Sequence, residues 1–257
     1  MKNKILILFV TIFFASAVSF AQQQGDPKLT EVWKPEPVKV KPGKTNSDAP
    51  SDAIILFGGK NLDEWVSTKD STQPAKWTVT KGAITVKKGT GNIQTKRFFT
   101  DYQLHIEWKI PANITGSGQA RGNSGVFLAA TGPGDEGYEI QVLDCYENTT
   151  YVNGQTASIY KQTIPLANVC KKPGEWQCYD IVWTAPRFNE DGTLKTAGRI
   201  TAIQNGVLVQ NNTEVKGVTV YIGKPYYKKH GPAPIKLQDH GDPSEPISYK
   251  NIWIREL

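Results

Sequence analysis

Residues 121–144 read R-G-N-S-G-V-F-L-A-A-T-G-P-G-D-E-G-Y-E-I-Q-V-L-D, two strand-like runs around a Gly/Pro turn, and their alternation decides the fold. In the first run Arg121, Asn123 and Gly125 alternate with Gly122, Ser124 and Val126. In the second, Glu139, Gln141 and Leu143 alternate with Tyr138, Ile140 and Val142. Strand side chains point to opposite faces with a period of two. One face of this hairpin is therefore apolar, and the other gathers a guanidinium, two amides and a carboxylate. A sheet face that only meets water more often carries Lys, Thr and Ser. The set found here hydrogen-bonds in pairs and suits sugar hydroxyls or a carboxylate.

The same rhythm extends outward. Ile54–Phe57 opens it, and Trp77–Val86 folds back on itself at Lys81-Gly82. Tyr102, Leu104, Ile106 and Trp108 alternate with Gln103, His105, Glu107 and Lys109. Glu175–Thr184 and Arg199–Gln204 follow, with Asn205-Gly206 turning tightly into Val207–Gln210. Pro234–His240 and Ile247–Glu256 complete the chain, and no stretch has helical periodicity. About a dozen short strands without repeats predict an all-β, two-sheet antiparallel sandwich or jelly roll. Residues 145–172 interrupt the pattern as a long loop-rich insertion, a candidate wall of the site.

At the start, Lys2 and Lys4 precede an apolar run, Ile5–Phe14, and a small-residue end at Ser19-Phe20-Ala21. This pattern predicts a signal peptide cleaved after Ala21, hence a periplasmic or extracellular protein. The run is too short for stable membrane insertion. Residues 22–52, with Pro27, Pro35, Pro37, Pro42 and Pro50, read as an extended leader, and 53–257 as the jelly-roll domain. Removing Lys2 and Lys4 takes the net charge from +6 to +4. The remaining charges are interspersed, so no nucleic-acid partner is expected. Of the three cysteines, Cys145 and Cys170 flank the insertion and are the preferred disulfide, with Cys178 read as a buried thiol. Spacing alone leaves the other two pairings open. No C-x-x-C accompanies them, so cysteine metal ligation is not expected.

Seven strings stand in order along 53–257: L-F-G-G-K-N-L-D-E-W (56–65), G-N-S-G-V-F-L (122–128), Y-E-I-Q-V-L-D (138–144), N-G-Q-T-A-S-I-Y (153–160), K-P-G-E-W-Q-C-Y-D-I-V (172–182), L-Q-D-H-G (237–241) and N-I-W-I-R-E-L (251–257). Together they resemble the 3-keto-disaccharide hydrolase family. The resemblance implies a concanavalin-A-like jelly roll of the lectin and glucanase type. It also implies a small glycoside or oligosaccharide substrate whose sugar carries a ketone at C3. Related laminarinase-type glucanases carry E-x-D-x-E on a concave strand; laid on this chain the pattern gives Glu139, Gln141 and Leu143. Only the first carboxylate remains, and Asp144 has the wrong parity. Two-carboxylate hydrolysis, which needs both groups on one face, is therefore disfavoured.

A 3-keto sugar offers another route, because its ketone acidifies the C2 proton. One base and a few hydrogen-bonding groups then suffice to eliminate the C1 substituent, and a divalent metal is compatible with that chemistry. Glu139 or His240 is the candidate base, with Arg121 steadying enolate or hydroxyl oxygens. Asn123, Gln141 and Gln238 would orient the sugar, with Asp144, Tyr146 and Tyr160 as further contacts. Each has a plainer reading: Glu139 pairing with Arg121, His240 capping a turn, Asp144 and Asp239 holding loop amides. His105 reads as a surface residue on its strand. The alternative to an enzyme is a lectin-like carbohydrate-binding module, and a conventional glucan hydrolase stands third. Oligomeric state is not written in the sequence.

Overall fold

Antiparallel pairing runs throughout the described residues, 25–257, of this computed structural model. The signal-peptide expectation for residues 1–21 lies outside them. In chain order the strands are β1 (Ile54–Phe57), β2 (Trp65–Ser67), β3 (Thr78–Thr80), β4 (Ala83–Thr85), β5 (Ile93–Thr95), β6 (Tyr102–Lys109), β7 (Ser124–Ala130) and β8 (Gly137–Val142). They continue as β9 (Trp176–Thr184), β10 (Arg187–Phe188), β11 (Leu194–Thr196), β12 (Arg199–Gln204), β13 (Val207–Glu214), β14 (Lys236–Leu237) and β15 (Ser248–Glu256). The larger sheet runs β13-β12-β9-β6-β15-β4-β3, with β1 also on β15; the smaller runs β2-β5-β14-β7-β8. The fold is the expected all-β antiparallel jelly roll.

The turns form where the sequence permits a left-handed backbone. Lys81-Gly82 (φ 50° and 76°) joins β3 to β4, and Asn205-Gly206 (φ 51° and 82°) joins β12 to β13. Ile106, Trp108 and Tyr179 of the larger sheet pack in one core with Val126, Leu128 and Ile140 of the smaller. Tyrosine hydroxyls then cross the core to the hairpin: Tyr102 donates to the Leu128 carbonyl (2.6 Å), Tyr179 to the Gln141 carbonyl (2.7 Å) and Tyr249 to Ser124 Oγ (2.7 Å). These bonds satisfy buried polar atoms and fix the register of β7 and β8 against the opposite sheet.

The hairpin's free edge is covered. The insertion pairs along β8, Tyr160 N donating to Glu139 O (3.3 Å) and Gln141 N to Ser158 O (3.0 Å). On the same strand Thr219 Oγ1 accepts from Glu139 N (3.2 Å). β7 and β8 are thus buried along their whole lengths, the condition for holding a carboxyl group still.

Contacts divide the chain after Lys39. The first unit contains a 3₁₀ turn, Pro27–Thr30, capped by Asp26. The second begins at Val40, and its first residues strap the outer face of the larger sheet. There Ser47 O accepts from Asn251 Nδ2 (2.8 Å) and Trp253 Nε1 (3.1 Å). His105 accordingly departs from its surface reading: it is 1% exposed, stacked on Trp253 and bonded through Nδ1 to Asp180 Oδ1 (2.7 Å). Alternation places its side chain away from the core, but a second cover turns that face into an interior. Cys178 is half-buried on its strand rather than sealed, because it sits on the outward parity opposite Glu107. Cys145 and Cys170 meet in side-chain contact as free thiols, so the expected pair is adjacent without being bridged.

Candidate active site

The outer face of the smaller sheet carries one polar row. Register places Lys236 of β14 beside Phe127 of β7, and Phe127 beside Glu139 of β8; two pairs along, on the same face, Gly125 stands opposite Gln141. Above this row opens a hollow of about 430 Å³, mouth included, lined by Asn123, Glu139, Gln141, Gln238 and His240. Asp135, Tyr160, Thr219 and Tyr221 close its sides.

Glu139 lies at the floor, only 4% exposed. Burial pushes its carboxyl up to about 8; the Asp135 charge pushes the same way and the Lys236 ammonium partly opposes. Gly125 makes room for it, since a methyl group at that position would stand 2.3 Å from Glu139 Oε1. The Gln141 amide satisfies its neighbours when its nitrogen faces Glu139 Oε1 (3.0 Å) and the Ser124 carbonyl (3.2 Å). Lys236 is buried beneath, its Nζ donating to the carbonyls of Gly134 (2.6 Å) and Glu136 (2.9 Å) and lying 4.3 Å from the Phe127 ring. Burial lowers its pKa to about 8 against the raising influence of Asp135, Glu139 and Glu136.

Gln238 and His240 enter from the chain beyond β14. Gln238 is 6% exposed, and its Oε1 has no partner among the described residues, an acceptor left open beside the hollow. Asn123 Nδ2 faces His240 Nε2 (3.2 Å) while Asp242 Oδ2 faces Nδ1 (3.2 Å). The neutral ring therefore carries its proton on Nδ1. For Asp242, burial would raise the pKa, but hydrogen bonds from His240 and Ser244 outweigh it and hold the carboxyl below its usual range.

Asn123, Glu139, Gln141, Tyr160, Gln238 and His240 thus come together as their sequence reading requires. Arg121, Asp144 and Tyr146 do not. Arg121 Nε bonds Asp144 Oδ2 (2.6 Å), and Asp144 Oδ1 also accepts from Tyr146 N (3.0 Å). Arg121 and Tyr146 line a separate hollow with Asn148 and Lys172. The reason is local: β7 begins only at Ser124, and Gly122 (φ 60°) turns the chain before it, so strand parity does not reach back to Arg121. β8 likewise ends at Val142, before Asp144. Glu139 therefore has no guanidinium partner from Arg121, and Asp144 fills its plainer role of holding a loop amide, as does Asp239 with Gly91 N (3.0 Å).

The sequence reading missed Lys236, Gly125 and Asp135. Lys236 shares parity with Gln238 and His240, a signal that was present in P-I-K-L-Q-D-H. Asp135 sits in the turn between β7 and β8, tied to Asn92 Nδ2 (2.9 Å), and no periodicity points to it. Among the described residues no three or more His, Cys, Asp or Glu side chains group as metal ligands would.

The family model described as the 3-keto-alpha-glucoside-1,2-lyase-like domain matches residues 52–255. A crystal structure from Parabacteroides distasonis ATCC 8503, of a "putative glycosyl hydrolase", is 55% identical over 90% of this chain and 97% of its own, with a TM-score of 0.84. Another structure so described from that organism is 22% identical over 85% of this chain and all of its own length, with a TM-score of 0.58, and shows the shared fold alone. No curated protein matches the chain. These similarities establish a carbohydrate-active class, and the chain belongs to the 3-keto-alpha-glucoside-1,2-lyase-like domain family.

Proposed function

We propose that the hollow cleaves glycosides of 3-keto sugars, with Glu139 as the base. The observation that carries this reading is a single deeply buried carboxyl, poised at about 8, on the floor of a hollow with an unpartnered amide oxygen at its side. Glu139 takes the proton from C2, and the electron pair moves into the C2–C3 bond as the C3 oxygen gains charge. That enolate re-forms the ketone as C1–C2 becomes double and the C1–oxygen bond breaks. The aglycone leaves with the bonding pair and takes the proton that Glu139 removed from C2, which restores the carboxylate, while His240, held between Asn123 and Asp242, orients the sugar. The product is a 1,2-unsaturated 3-ketone; addition of water, oxygen to C1 and hydrogen to C2, gives net hydrolysis. Gln238, Asn123 and Gln141 hold sugar hydroxyls, and Lys236 acts through Glu139 by favouring its charged form.

A second reading has one observation in its favour: Asp135 brings another carboxylate to the same hollow, which two-carboxylate hydrolysis would need. Assaying purified protein on a 3-keto glucoside beside the unoxidised glucoside separates the two. Turnover confined to the 3-keto substrate, with an absorbing enone intermediate, supports elimination; equal turnover of both transfers the case to the hydrolase. Binding without conversion of either identifies a lectin-like module. Export belongs to the same proposal, and N-terminal sequencing of secreted protein should begin at Gln22.

A further inference from the structure

At the mouth of the hollow the chain builds an aromatic rim that the chemistry above does not use. Tyr160 and Tyr221 line the opening, and the Tyr151 and Tyr160 hydroxyls bond each other (2.6 Å). Lys161 stands among the three rings, its Nζ 4.1 Å from the Tyr221 centroid, 5.5 Å from Tyr151 and 5.9 Å from Tyr160. The same Nζ donates to the Tyr221 carbonyl (2.8 Å). Lys161 adopts φ 57°, a left-handed conformation that costs a non-glycine residue energy and is retained where the surroundings impose it. Tyr221 is 71% and Ile222 84% exposed, an apolar pair left in water beside a polar hollow.

We infer that this rim is the aglycone subsite and that it takes a planar aromatic aglycone of the phenol class, stacked on the open face of Tyr221. The inference rests on the reading of the hollow as the sugar site. With the sugar ring on the floor, the C1 substituent must leave through the mouth, where the exposed surface is ring and aliphatic carbon. Tyr221 and Ile222 present mainly ring and aliphatic carbon to that exit, a surface that suits a flat apolar ring better than a second sugar's hydroxyls. Lys161 approaches the Tyr221 ring by cation–π contact, leaving Tyr221 as a braced platform. Stacking of aromatic pairs reaches about tenfold in affinity.

The test compares phenyl and methyl 3-keto-glucosides, with a 3-keto disaccharide as third substrate. The wild-type KM for the phenyl compound should be about tenfold below that for the methyl compound, and Tyr221→Ala and Ile222→Ser should each collapse that ratio toward unity. A ratio near one in the wild type, a ratio unmoved in both variants, or a disaccharide preferred over the phenyl compound overturns the inference. Calorimetric binding of unoxidised phenyl and methyl glucosides keeps it separate from the reaction. Tighter phenyl binding that Tyr221→Ala abolishes sustains the rim even where no 3-keto substrate turns over, which would instead defeat the elimination reading. Equal binding of both glucosides defeats the rim alone.

Discussion

In the proposed elimination Glu139 is the base, and its ionisation is costly where it sits. Replacing it by Gln keeps the shape and removes the base, so kcat/KM on a 3-keto glucoside should fall by about 10³-fold. In the wild type, kcat/KM should rise with pH and level off near 8, where the carboxyl becomes charged. Stability should run the opposite way. From the ordinary 4.5 up to about 8 the folded protein keeps a proton that the unfolded chain releases, so stability falls as pH climbs through that window. Lys236 reverses the sign above it: between about 8 and 10.5 the unfolded chain holds the extra proton, and stability recovers. Melting curves across pH should therefore show the Glu139→Gln protein gaining on the wild type between pH 5 and 8. A gain absent at pH 8 would mean the carboxyl is not desolvated as described. Gly125→Ala should act on the same atom by position: the added methyl displaces the carboxyl, and kcat should drop by roughly 10–100-fold with little loss of fold.

At the scale of elements, the β7–β8 hairpin and the 145–172 insertion work as one unit, the insertion closing the strand edge that carries Glu139. Cys145 leaves the end of β8 and meets Cys170 at the far end of that insertion. In an oxidising compartment this contact should close as a disulfide, and closing a loop of that length stabilises by about 3.5 kcal/mol in the chain-entropy description. Intact-mass measurement before and after reduction checks the bond. Cys145→Ser should then lower the midpoint of unfolding, whereas Cys178→Ser should not. A chain that alkylates fully without reductant would remove the bridge. The hairpin was legible in the sequence because every residue of β8 obeys a strict alternation, from Tyr138 inward to Gln141 outward. The flanks were not, since a glycine at positive φ before β7 and the end of β8 break the parity on which Arg121 and Asp144 were placed.

For the whole molecule, the sandwich separates two faces. The strap through Ser47 covers the outer face of the larger sheet, and the hollow opens on the outer face of the smaller. Removing residues through Ser51 should uncover Trp253 and His105 and cost about 2–3 kcal/mol, judged by denaturant midpoint, while kcat on a 3-keto glucoside stays within twofold. A comparable loss of kcat would show that the faces are coupled through the core. The sequence by itself determined the longer strands, their inward faces, the turns at Lys81-Gly82 and Asn205-Gly206, and the shared parities of Glu139 with Gln141 and of Gln238 with His240. These follow from period-two alternation and local turn chemistry, which act between residues close in the chain. Only the tertiary structure decided that Asp135, Thr219 and Tyr221 share Glu139's hollow, that Lys236 lies beneath it, and that His105 is buried. Those relations depend on which loops fold over which sheet face, and desolvation, the force that sets Glu139 near 8, is produced only when distant segments close around it.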